Sequence, residues 1–84
     1  MKLKPNTYYK ENWKNKDYYI VYTNNSLIET VARKDSNGNY IKLSPVKHNS
    51  FGSFNMNNYI DVFKDEIISL EEMSEAEFIA EVLL

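Results

Sequence analysis

The sequence predicts one α+β domain, a small antiparallel β-meander followed by a C-terminal α-helix. Three observations predict it. Asn24-Asn25 and Asn37-Gly38 each separate two runs rich in β-branched and aromatic residues, the pattern of consecutive hairpins. The last stretch, "SEAEFIAEVLL", opens with a helix-capping pattern. The chain has 84 residues, which places residues 1–84 in a single domain with one modest core.

Taken in order, "NTYYKENW" supplies a first candidate strand. "YYIVY" and "LIETVARK" flank Asn24-Asn25, and "NYIKL" follows Asn37-Gly38. Asn and Gly tolerate the positive φ that tight hairpin turns require. Two-residue loops at both turns would pair Tyr22 with Leu27, Val21 with Ile28, Lys34 with Ile41 and Ala32 with Leu43. Paired residues share a face. One face then collects Tyr19, Val21, Ile28, Thr30, Ala32, Ile41 and Leu43, a core face. The other carries Tyr18, Ile20, Tyr22, Leu27, Val31 and Tyr40 together with Glu29, Arg33 and Lys42. That second face is too apolar for plain solvent exposure, so either a second layer covers it or a partner does.

Pro45 lacks the amide a ladder needs and should end the third strand of the meander. Residues 46–58 read as a polar loop anchored by Phe51 and Phe54. Residues 56–73 support two readings. Met56, Ile60, Phe63, Ile67, Leu70 and Met73 recur at helical spacing, yet "YIDVF" and "EIISLEEM" also read as two short strands. The strand reading would curl the meander into an SH3-like barrel. The end is a helix: Ser74 caps it, Glu77 completes a capping box, and Phe78, Ile79, Val82 and Leu83 form its apolar stripe.

Composition narrows the function classes. With no cysteine there is neither a disulfide framework nor a thiolate metal site. "MKLKPN" lacks the apolar core of a signal peptide, and no apolar run is long enough to span a bilayer, so a cytoplasmic protein with no membrane partner is expected. Abundant Asn, Lys, Tyr and Ile have A/T-rich codons, which suggests a low-GC bacterium or its phage. His48 is the sole histidine, and with Ser50 or Ser53 it forms no recognisable triad or nucleophile elbow. Gly38 and Gly52 lie too far apart for a phosphate-cradling loop. No enzyme, metal or cofactor is expected.

Charge divides the chain. Residues 1–48 carry nine Lys/Arg against four Asp/Glu, whereas residues 49–84 carry Lys64 against eight acids. Those acids are Asp61, Asp65, Glu66, Glu71, Glu72, Glu75, Glu77 and Glu81. Dispersed carboxylates on a rigid element can imitate a row of phosphates and meet a basic groove. The leading expectation is therefore a small acidic binding protein, encoded by a phage or mobile element, that inhibits a host nucleic-acid-handling or defence protein. The competing reading rests on Tyr8, Tyr9, Lys10, Trp13, Lys14 and Lys16 and, on the second sheet face, Tyr18, Tyr22, Arg33, Tyr40 and Lys42. Aromatic rings interleaved with cations could stack single-stranded nucleic acid. Oligomeric state is open from the sequence.

Overall fold

The computed structural model describes residues 2–43 and 53–84. Its elements are β1 (Tyr8–Trp13), β2 (Tyr18–Asn24), β3 (Leu27–Lys34), β4 (Tyr40–Lys42), β5 (Ser53–Asn55), α1 (Tyr59–Val62), β6 (Ile67–Met73) and α2 (Glu75–Phe78). A wider π-helical turn, Ile79–Leu83, continues α2. The predicted antiparallel meander with a short C-terminal helix is present. The strands form one open sheet in the order β4-β3-β2-β1-β6, and β5 pairs with β3 beside β4. The sheet does not close into a barrel.

Both predicted hairpins form, each with a corrected register. Asn24 pairs with Leu27, so Asn25-Ser26 is the turn and Asn25 takes the left-handed φ of 57°. Val21 therefore faces Thr30, not Ile28. A slip of two residues leaves each side chain on its expected face, so Val21 and Ile28 still meet in one core. A register shift then intervenes: Val21 faces Thr30 but its neighbour Ile20 faces Ala32, leaving Val31 as the extra residue. The bulge carries Ala32 to the opposite face, against expectation.

At the second turn Lys34 pairs with Tyr40, Arg33 with Ile41 and Ala32 with Lys42. Asp35 N–H donates to the Asn39 carbonyl at 2.8 Å, which leaves Ser36, Asn37 and Gly38 as a three-residue loop that the Asp35 side chain organises. Its Oδ1 accepts the Asn37 and Asn39 amides at 2.9 Å each, and the Gly38 amide donates to the Asp35 carbonyl at 3.1 Å. Gly38 sits at φ 83°, where a side chain is strained. Shifting β4 by one residue turns Ile41 outward, and it is exposed. The β1–β2 turn repeats this geometry: Trp13 N–H donates to Asp17 O and Lys16 N–H to Trp13 O, with Lys16 at φ 69° where Gly38 stands in the other.

The sheet has a core on each face. On the first, Leu3, Tyr9, Val21, Ile28 and Tyr59 are buried, with Met56, Ile60, Phe63, Ile67 and Leu70 packed against them. On the second, Ile20, Ala32, Met73 and Phe78 are buried beneath the C-terminal helix, flanked by Tyr8, Val31, Tyr40 and Val82. A second layer thus covers the face that the sequence left undecided. Segment 56–73 divides between its two readings: Tyr59–Val62 is helical and Ile67–Met73 is a strand pairing with β1. Residues 53–55 form a strand where a loop was expected. The expectations for Pro45, His48, Ser50, Phe51 and Gly52 lie outside the described residues.

The predicted capping box is complete: Glu77 N–H donates to Ser74 Oγ and Ser74 N–H to Glu77 Oε1, both at 3.1 Å. Only part of the predicted stripe is inward. Phe78 is buried and Val82 half-buried, while Ile79 and Leu83 are exposed, each one residue, about 100°, further round the helix.

Candidate functional site

The acidic residues reach the surface through β6 and α2. Alternation along β6 sends neighbouring Glu71 and Glu72 to opposite faces, and the cap at Ser74 then turns the chain so that Glu75 and Glu77 follow Met73 around the end of the sheet. The result is a surface groove of about 510 Å³. Glu72, Glu75 and Glu77 line it, with Tyr8 and Tyr22 also in its wall. These two rings are cross-strand partners, their centroids 4.5 Å apart and tilted by 45°. Burial, then the neighbouring Tyr22 and Glu75, hold the Tyr8 phenol above its ordinary value.

Two of the acids are paired with the basic half of the chain. Lys4 Nζ lies 3.2 Å from Glu72, and Lys10 Nζ lies 2.8 Å from Glu81. The hydrogen bond from Lys10 to Glu81 raises the lysine's pKa. Asp61 and Asp65 are exposed and Glu66 half-buried around α1 and the turn after it, away from the α2 groove. The structure thus brings Glu72, Glu75 and Glu77 together and leaves Asp61, Asp65 and Glu66 apart from them.

Of the tyrosine- and lysine-rich set, Tyr18, Tyr22, Tyr40 and Lys42 share one face of the sheet, and Arg33 does not. Lys34, not Arg33, lies over the Tyr18 and Tyr40 rings, at 4.6 and 5.2 Å from their centroids. Arg33 pairs with Tyr19 and Ile41 on the other face. Tyr22 and Tyr40 are half-buried, and Tyr40 packs into the core beneath the helix. Lys42 is exposed opposite Ala32.

A third location was not singled out from sequence. Glu11 is 2 % exposed on the face of β1 that carries Tyr9. Its carboxylate accepts a hydrogen bond from the Tyr59 hydroxyl of α1. Burial pushes its pKa up, against the hydrogen bond from Tyr59, which favours the charged form. Tyr59 is in turn held far above the usual phenol range by burial and by the charge of Glu11. Glu11, Trp13, Tyr19, Thr30, Phe54, Tyr59 and Phe63 line an open cavity of about 330 Å³. The chain matches no family model, no curated protein and no solved structure. The signal that could have exposed this cavity is the alternation Tyr9, Glu11, Trp13, which puts a carboxylate between two aromatics on one strand face.

Among the described residues no group of three or more His, Asp or Glu side chains could hold a metal ion. No helix among them is long and apolar enough to cross a membrane.

Proposed function

We propose that this protein is a small non-enzymatic binding protein whose acidic surface engages a basic groove on a host protein that handles nucleic acid or acts in defence. The inhibitory role, and the phage or mobile-element origin suggested by composition, belong to the same reading. The observation that carries it is the groove where Glu72, Glu75 and Glu77 surround the Tyr8–Tyr22 pair. Carboxylates there attract Lys and Arg side chains, and tyrosine faces can receive their cationic heads. The element is held by the Phe78 core and the Ser74 cap, so its ordering is complete before a partner arrives. Single-stranded nucleic acid, the alternative partner, finds less support, because Arg33 lies on the face opposite Tyr18 and Tyr40 packs under the helix.

Charge reversal of Glu71, Glu72 and Glu75 to lysine tests the reading. All three are exposed, so thermal stability should change little. Affinity purification from the native host supplies a captured partner, whose association with wild type and triple variant is then timed across salt concentrations. The variant should associate severalfold more slowly, with the gap widest at low salt. Equal and salt-insensitive kinetics would reduce the acidic surface to a solvated face. Salt-sensitive binding of single-stranded oligonucleotide, retained by the variant, would support the alternative.

A further inference from the structure

The cavity around Glu11 lies apart from the acidic groove and has a different chemistry. Its wall is built from Trp13 and Tyr19 of the sheet, Phe54 of β5, and Tyr59 and Phe63 in and beside α1. These rings do not stack in parallel. Trp13 and Tyr19 meet at 79° with centroids 6.0 Å apart, and Phe54 meets Phe63 at 89° and 4.9 Å. Trp13 and Phe63 are inclined at 46°, and Phe54 and Tyr59 at 55°. These mutually inclined rings all line the cavity, unlike a simple stack.

Glu11 puts a carboxyl group in this box, and a bound cation would favour its ionised form. It is almost wholly buried, and it is a member of neither ion pair among the described residues. A carboxylate withdrawn from water without a counter-charge is costly, and its one strong donor here is a neutral phenol. For packing alone, an apolar residue would fill the site without that cost. The combination of π-faces and an uncompensated carboxylate is complementary to a cation with an apolar exterior. A primary ammonium suits the site less well, because it brings three N–H donors to a lining dominated by rings. Replacing those hydrogens with methyl groups removes the mismatch and retains the charge. At about 330 Å³ the cavity falls at the small end of ligand sites.

We propose that this cavity is an aromatic cage for an alkylated ammonium group, with Glu11 as its counter-charge. The group could arrive on a small quaternary ammonium compound or on a methylated lysine side chain. Phe54, 38 % exposed, stands at the rim, and Glu11 and Tyr59 form the interior.

Trp13 is the chain's single tryptophan, so its fluorescence reports on the cavity directly. The test titrates the protein with choline and with 3,3-dimethyl-1-butanol, its uncharged carbon analogue, at matched ionic strength. Choline should saturate the signal and bind at least about tenfold more tightly than the analogue, the ratio expected of a partly desolvated cation–π site. Glu11→Gln should lose most of that preference. Phe54→Ala, at the rim, should weaken choline severalfold with the fold retained, and it decides the matter if Glu11→Gln fails to fold. A peptide bearing trimethyllysine, compared with its unmethylated form, separates the two sources. Tighter binding than choline assigns the cage to a protein ligand, and weaker binding assigns it to a free one. No saturable choline binding, equal binding of the uncharged analogue, or choline binding unchanged in Phe54→Ala would overturn the proposal.

Discussion

At the scale of single residues, burial separates polar groups that hold the fold from those that strain it. Thr23 is fully buried and fully used. Its hydroxyl donates to the Lys4 carbonyl at 2.6 Å and accepts the Thr7 amide at 2.8 Å, fastening the N-terminal segment to β2. Glu11 is equally buried, but its charged form is the disfavoured one. The sign of the consequence follows from linkage. Near the ordinary glutamate value of 4.5 the unfolded chain gives up its proton while the folded chain still holds it. Stability from this group is therefore full below that pH and is lost as pH rises through the folded-state value. Glu11→Gln cannot ionise and escapes that loss. Its stability relative to wild type, measured by thermal melts, should rise from pH 4 to pH 7. A difference independent of pH would show that Glu11 titrates normally in the folded chain.

At the scale of elements, two hairpin turns share one backbone geometry and differ in the residue at the left-handed position. Gly38 occupies it at φ 83° and Lys16 at φ 69°. A non-glycine side chain there costs about 1–2 kcal/mol. Nothing lies within 4 Å of a Cβ built on Gly38, so a substitution meets backbone strain and no clash. Gly38→Val should accordingly destabilise by at least about 1 kcal/mol, a β-branched residue being among the least suited to positive φ. Lys16→Gly should stabilise by up to about 1 kcal/mol, since the relief of strain is partly offset by unfolded-state entropy. Urea midpoints at constant m-value measure both. Changes of the same sign in the two variants would refute the equivalence of the turns.

At the scale of the whole molecule, one sheet carries two cores, so the layers should not unfold independently. Phe78 stacks on Tyr8 at 4.2 Å and is buried on the helix side, whereas Trp13 packs against Phe63 on the opposite face. Removing the Phe78 ring should cost about 3–5 kcal/mol, a large part of what so small a domain possesses. Trp13 fluorescence and far-UV circular dichroism of Phe78→Ala should then fall in one coincident transition at a much lower temperature. A Trp13 signal that persists after the helix signal has gone would show two separable layers. The charge division matters less for stability. The cross-half ion pairs Lys4–Glu72 and Lys10–Glu81, among the described residues, are exposed enough for solvent to screen them.

Local chemistry in the sequence determined the elements: β-branched runs made the strands, Asn and Gly placed the turns within a residue, and Ser74 with Glu77 placed the helix start. Each of these depends on contacts only a few residues apart. Register did not follow, because the Asp35 side chain lengthens one turn and a bulge at Val31 reverses the face of Ala32. A single inserted residue flips all later side chains, so a local error becomes a global one. The division of 56–73 into α1 and β6 was likewise a tertiary decision. An apolar run that suits either period takes the form its neighbours can use, here a free edge on β1 and an uncovered sheet face. The acidic half was legible as composition, but its groove exists only where β6 ends against α2. The Glu11 cavity was least legible, since Glu11 and Tyr59 meet across forty-eight residues of chain, and only folding brings the carboxylate to its ring of aromatics.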